Sequence, residues 1–310
     1  MNEQHFSIDS ALYVLYDPFF TEKVLHDEGL KTQPPYYGNR LFFLRALREL
    51  HFRLNLPLKK IWYQPINNRY DIYFLFADTV TPEYVEWLHQ QHPSSKYIMC
   101  YMNSVNKKTN PAKFRYDYLK LWSGDVNDCR KYGMNQIKYS GAYCRNWIVN
   151  KIRPEYDVFF VGKDKGMKRL DMLLDLKEQF ESMGLKTYFH IVAEHRYDRY
   201  RNLHYKAFIP YEECLQFLGK SKSILYIGFG SQECVTIRIQ ESLIHQIKLI
   251  TDCSWIKKYD FYNPHNIFLL GEDNLSDLPH FLNTPYESVD ADILKHIYMD
   301  DLLREVISLS

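Results

Sequence analysis

The chain has no C-x-x-C pair: its six cysteines, at positions 100, 129, 144, 214, 234 and 253, are scattered. That spacing excludes a disulfide framework and a zinc site, and it reads as free thiols in a reducing compartment. No apolar run approaches the roughly 20 residues needed to span a bilayer, and the opening MNEQHFSIDS lacks a charged leader followed by an apolar core, so a cytosolic location is expected. Excess charge of either sign is also missing. A net charge of +1 gives no electrostatic footprint for nucleic acid, and no nucleic-acid partner is expected. The loop Gly162 to Gly166 has neither the Walker ending Gly-Lys-Ser/Thr nor the dinucleotide fingerprint G-x-G-x-x-G, and there is no clear Asp-x-Asp metal motif at a strand end.

What is present is substantial. A chain of 310 residues that is 46% hydrophobic can fill two cores of ordinary size. The 26 tyrosines and 19 phenylalanines are read as packing material. Charge is uneven along the chain: residues 1–150 carry 19 Lys and Arg against 14 Asp and Glu, and the remainder carries 20 against 24. The two halves are therefore expected to meet different partners.

The most informative stretch runs from Ser223 to Asp252. Ile224-Leu225-Tyr226-Ile227 is an apolar run suited to a strand buried on both faces of a parallel sheet. A loop from Gly228 to Val235 follows, and Thr236 can cap a helix whose apolar positions are Ile237, Ile239, Leu243, Ile244 and Ile247. Lys248-Leu249-Ile250-Thr251 supplies the next strand. The loop thus feeds the positive end of a helix, where an anion is best received. Arg238 adds a planar donor fork, and Glu241, a turn further on, can accept from two vicinal hydroxyls of a ribose. Gln232, Thr236, Arg238 and Glu241 together read as a grip on a diphosphate and its ribose. A capped amphipathic helix in an ordinary α/β domain is the plainer alternative.

The pattern Gln232-x-x-x-Thr236-x-Arg238-x-x-Glu241, followed by Lys248-Leu249-Ile250-Thr251, resembles the donor-binding segment of bacterial glycosyltransferases that build capsule and lipopolysaccharide chains. Many of those have glycine where Cys234 stands. Trp122-Ser123-x-Asp125-x-x-Asp128-Cys129-x-x-Tyr132 is similar to the segment that closes their first domain, and Lys96 to Val105 to their strand ending in Asn. The resemblance implies the GT-B fold: α/β, with two Rossmann-like domains facing each other across a cleft. It implies an acceptor-binding domain over 1–150, a nucleotide-sugar-binding domain over 151–290, and C-terminal helices over 291–310 that cross back to the first domain.

The chain in order agrees with an α/β reading. Strand-like runs at Leu12–Tyr16, Ile72–Phe76, Tyr97–Tyr101 and Tyr118–Trp122 are interspersed with amphipathic stretches such as Arg40–Leu54 and Pro82–Gln91. Asp78, Asn103 and Asp125 fall just past strand ends, where ligands of parallel sheets sit. Each such Asp is also a natural helix cap or turn former. Tyr156–Gly162 opens the second half and runs into Gly162-Lys163-Asp164-Lys165-Gly166 and a helix over Met167–Met183. Lys163, Lys165 and Arg169 either neutralise phosphates opposite Arg238 or form a solvated basic turn.

The resemblance further places the nucleobase on the main chain near Ile209 and Tyr211, and the sugar near Gln232 and Glu233. It implies a hexosyl- or related transferase that takes a nucleotide sugar, a UDP-sugar foremost, with no required metal or other cofactor. The acceptor would be a glycan or a lipid-linked chain, with peripheral contact at the inner face of the plasma membrane. Were the reaction inverting, Asp78 would be the base, with Asp125 behind it; were it retaining, Glu233 would contact the sugar. The residues leave both outcomes open. Two further classes stay in view: a catalytically silent nucleotide-binding partner of another transferase, which Cys234 motivates, and a nucleotide-sugar epimerase.

Overall fold

The computed structural model describes residues 7–17, 21–38, 41–139, 143–147, 149–164, 169–195, 198–200, 202–228 and 230–310. The contacts divide the chain into two units. One comprises Met1–Cys144, Gln232–Cys234 and His296–Ser310; the other comprises Arg145–Ser231 and Val235–Lys295.

The first unit is built from β1 (Ala11–Val14), α1 (Thr21–Asp27), β2 (Thr32–Gln33), α2 (Phe42–Arg53), β3 (Ile72–Phe76), α3 (Pro82–Gln91), β4 (Lys96–Tyr101), β5 (Leu119–Ser123), α4 (Val126–Tyr132) and β6 (Asn135–Gln136). Its six strands are all parallel, in the order β2-β1-β3-β4-β5-β6. Every residue of β1 and β3 is buried, which is why both read as unbroken apolar runs. Alternate residues Leu12, Val14, Tyr73, Leu75, Tyr97 and Met99 share one face and pack on Tyr84, Val85 and Leu88 of α3. The tyrosines are core material here: Tyr73 stacks on Tyr97 at 5.4 Å, and the Tyr97 hydroxyl donates to the carbonyls of Leu88 and His92. Pro82 at the first position of α3 and the Thr81 hydroxyl, which accepts from the Tyr84 N–H, set where that helix begins.

The second unit follows with β7 (Tyr156–Lys163), α5 (Arg169–Ser182), β8 (Thr187–Val192), β9 (Tyr205–Lys206), α6 (Tyr211–Gly219), β10 (Ser221–Tyr226), α7 (Ile237–His245), β11 (Lys248–Thr251), β12 (Ile267–Leu269), α8 (Leu278–Asn283) and α9 (Ala291–Lys295). Its sheet is again parallel and six-stranded, ordered β12-β11-β10-β7-β8-β9. That is the doubly wound order in which the chain runs outward from a central strand, returns, and runs outward the other way. Val158, Phe160, Phe189, Ile191, Leu225, Ile250 and Phe268 form its core with Leu173 and Phe180 of α5 and Leu278 and Phe281 of α8.

The last helix, α10 (Met299–Ser308), belongs to the first unit. The Met299 N–H donates to the Tyr143 carbonyl, and the Trp122 indole donates to the Ser310 hydroxyl. The chain is therefore α/β with two Rossmann-like units, each carrying a parallel sheet.

Several elements depart from expectation. α1, α4 and the two-residue strands β2 and β6 had no apolar pattern to announce them. The leucine stripe of α2 was legible, but it does not turn inward: the buried residue of that helix is Arg48.

Candidate functional site

Ligands of doubly wound sheets bind outside the carboxyl ends of the strands, where the strand order reverses. In the second unit that point lies between β7 and β10. Arg169, the first residue of α5, spans it: its Nη2 donates to the Ile227 carbonyl just past β10 at 3.0 Å, and its Nη1 to the Lys163 carbonyl that ends β7 at 3.4 Å. The guanidinium also lies over the Phe160 ring, 5.6 Å from its centre. Burial pulls its pKa down, with Tyr226, Asp252 and Asp164 acting in the opposite direction. Its Nε is buried and makes no hydrogen bond.

Beside it, Asp164 accepts from the Tyr205 hydroxyl at 2.6 Å, and Asp252, past the end of β11, accepts from the Gly228 N–H at 2.7 Å. A Cβ at position 228 would lie 2.7 Å from the Cys253 sulfur, so only glycine fits this turn. Gly162 lies within β7 and Lys163 ends it, exposed. Lys165 lies outside the described residues.

Ten residues after Tyr226, Thr236 is the N-cap of α7 in extended conformation. Its side chain makes no capping bond, and its hydroxyl is buried without a hydrogen-bond partner. The first turn of α7 carries no acidic residue. An uncapped helix start of this kind offers donors and a positive dipole end to an anion. Gln240 ties the approach to the helix by donating from Nε2 to the Val235 carbonyl at 2.9 Å.

One turn on, Arg238 and Glu241 meet. Nη1 of Arg238 lies 2.7 and 2.6 Å from the two carboxylate oxygens, and the Tyr211 hydroxyl donates to Oε1 at 2.6 Å. Glu241 has no exposed surface, so its carboxylate holds a guanidinium and a phenol where a ribose was expected. Tyr211 rests against Trp147, with ring centres 4.6 Å apart. Ile209, two residues earlier, is half-buried.

Gln232, Glu233 and Cys234 group with the first unit. Gln232 Nε2 lies 3.1 Å from the Cys234 sulfur, which is buried, and the Glu233 carbonyl accepts from the Val126 N–H at the start of α4. The latter contact satisfies one of the donors that a helix start leaves open. Asp125 caps the same helix: Oδ1 accepts from the Asn127 N–H and Oδ2 from the Ser104 hydroxyl at 2.8 Å. Asp78 is exposed past the end of β3 and accepts from the Asn103 amide at 2.8 Å. The structure thus brings Thr236, Arg238, Glu241 and Tyr211 together on and beside α7, and it sets Asp78 next to Asn103.

Sequence reasoning passed over Asp164, Asp252 and Trp147. The two aspartates sit past strand ends, the same signal that singled out Asp78. Nothing in the sequence marks Trp147. Among the described residues no group of three or more His, Cys, Asp and Glu is placed to hold a metal ion, and no helix is long and apolar enough to cross a membrane.

No protein-family profile matches the chain, and no curated protein does. Solved structures do. TarM is 14% identical with a TM-score of 0.43, over 76% of this chain and 51% of TarM, so the chain spans about half that protein's length. A glycosyltransferase from Rickettsia africae ESF-5 is 10% identical over 99% of this chain and 94% of its own, with a TM-score of 0.46. The spinosyn forosaminyltransferase SpnP is 10% identical over 96% and 90%, with a TM-score of 0.38.

Proposed function

We propose that the chain is a GT-B glycosyltransferase that moves a sugar from a nucleotide-sugar donor to a glycan or lipid-linked acceptor in surface polysaccharide synthesis. One observation carries this reading: at the carboxyl edge of a doubly wound sheet, α7 begins at a residue whose buried hydroxyl has no partner. A diphosphate at that position would accept from the Thr236 hydroxyl and from the first N–H groups of α7, with Arg238 and Arg169 supplying charge. The donor is a UDP-sugar foremost, carrying a hexose or related sugar, and the leaving group is neutralised without a required metal.

In the reaction the bond from the anomeric carbon to the phosphate oxygen breaks, and the diphosphate leaves with the electron pair. The acceptor oxygen forms the new bond and gives up its proton. Asp78 suits the proton-accepting role under inversion, since its carboxylate is exposed, whereas Asp125 has both oxygens engaged at α4. Under retention Glu233 would face the sugar. For the ribose to reach Glu241, the Tyr211 hydroxyl must first give way.

Calorimetry with UDP-, GDP-, CMP- and dTDP-sugars on wild type and Thr236→Val tests this reading. The substitution removes no hydrogen bond within the protein, so stability should hold. Affinity for the matching donor should fall by about 10- to 100-fold, the worth of a hydrogen bond to a charged group. Equal affinity in the two proteins, or no binding of any donor, would sink the proposal.

A second reading, a silent nucleotide-binding partner, draws on Cys234, which lies buried against Gln232 in place of a glycine. Turnover of the donor by the purified chain with a lipid-linked acceptor separates the two. Conversion of the donor without any acceptor would instead reveal an epimerase.

A further inference from the structure

An amphipathic helix on a protein surface ordinarily turns its apolar stripe to the core. α2 does the reverse. Arg48 is its buried residue, 7% exposed, with Nη1 donating to the Tyr37 carbonyl at 3.2 Å and the guanidinium 4.9 Å over the Tyr36 ring. Phe52 packs edge-on against the same ring. Phe43, Leu47, Leu50 and Leu54 recur at helical spacing on another face, and all are exposed, as is Phe42. Phe42 and Phe43 are 80% and 76% exposed. The loop that continues the helix adds Leu56, Leu58 and Ile61, also exposed. Leu58 adopts a left-handed backbone (φ 63°), uncommon for a bulky residue, and its side chain is 75% exposed.

Single exposed apolar side chains are ordinary, but one helix face and its adjoining loop made of them mark a surface that meets something apolar. Charge identifies the occupant. Residues 41–62 contain Arg45, Arg48, Arg53, Lys59 and Lys60 against the single acid Glu49. Arg53 and Lys60 are exposed; Lys59 pairs with Glu83 at 2.7 Å, and Arg45 lies 3.3 Å from Glu49. Two copies of this face set against each other by a two-fold axis would bring like charges together. A bilayer with anionic headgroups satisfies both features, taking Phe and Leu side chains at the acyl boundary and Arg and Lys at the phosphates.

We propose that α2 and the loop to Ile61 are an interfacial docking surface for an anionic membrane, lying in the plane of its headgroups. This goes beyond the sugar-transfer reading and does not depend on it.

The test is co-sedimentation of the full chain with phosphatidylglycerol–phosphatidylethanolamine vesicles and with pure phosphatidylcholine vesicles, at low and high salt. The chain should partition onto the anionic vesicles, and salt should weaken that binding. The triple variant Phe42→Ser, Phe43→Ser, Leu47→Ser should lose at least tenfold in partitioning with little change in melting temperature, because these side chains are exposed and lie outside the core. Arg53→Glu with Lys60→Glu should lose the preference for anionic over neutral vesicles and supplies an independent reading if the triple variant misfolds. The proposal is overturned if the wild-type chain stays in the supernatant or if both variants sediment as it does. It is equally overturned if light scattering shows a dimer that the triple variant dissociates while vesicles bind neither, which would make the face a self-association surface.

Discussion

Arg238 and Glu241, three residues apart on α7, form an ion pair whose carboxylate is fully buried and whose guanidinium is 17% exposed. Burial, the largest single influence, pulls the Arg238 pKa down; Glu241, Tyr211 and Cys214 together outweigh it and hold the guanidinium above its ordinary value. Removing one member of such a pair leaves the other charge without compensation. Glu241→Ala should therefore lower stability by about 3–5 kcal/mol, towards the lower figure because Arg238 retains some solvent. Glu241→Gln, which can still accept from Tyr211, should cost less. Urea unfolding measures both, and a loss below about 1 kcal/mol for the alanine variant would show that the pair behaves as a surface one.

The two candidate bases of the first unit should separate cleanly. Asp125→Ala removes the cap of α4 and the bond from Ser104, and it should cost about 1–2 kcal/mol. Asp78→Ala touches only an exposed amide contact and should leave stability within about 0.5 kcal/mol. If Asp78 is the base of an inverting transfer, its loss should lower the rate constant by about 10²- to 10⁴-fold with little change in donor affinity. Rate assays beside unfolding curves decide the matter: full activity in Asp78→Ala would remove it from the reaction.

Burial pushes the His245 imidazole down from 6.5 to about 4, and Lys151 adds to the shift. The native state thus holds this histidine neutral while the unfolded chain takes up a proton below pH 6.5. Stability should be unaffected by His245 above that value and should fall as pH drops towards 4, by on the order of 3 kcal/mol in all at about 1.4 kcal/mol per unit. His190, lowered chiefly by burial, adds in the same direction. His245→Gln should flatten the dependence between pH 6.5 and 5. Unfolding curves across that range with an unchanged slope would show that His245 is solvated in the native state.

Much of the fold was legible because burial on both faces of a parallel sheet forces continuous apolar runs. Ile72–Phe76 could be bounded from its residues alone, and Pro82–Gln91 from its period with Thr81 and Pro82 at its head. The strands of Thr32-Gln33 and Asn135-Gln136 could not, since main-chain pairing at a sheet edge holds them without any apolar pattern. In the candidate site, the helix start at Thr236 was readable from a strand, a glycine-bracketed loop and a polar cap.

Local order along this chain, then, was set by its own residues: apolar runs fix strands, and spacing with a polar cap fixes helices, because those preferences act over one or two turns. Which side a stripe faces is decided elsewhere. A period of 3.6 says that Leu47 and Leu50 share a face, and only the packing of Arg48 on Tyr36 turns that face outward. The same holds for Glu241. Its carboxylate is filled by a tyrosine 30 positions earlier, a partner that the packing of α6 against the sheet supplies and that no neighbouring residue announces.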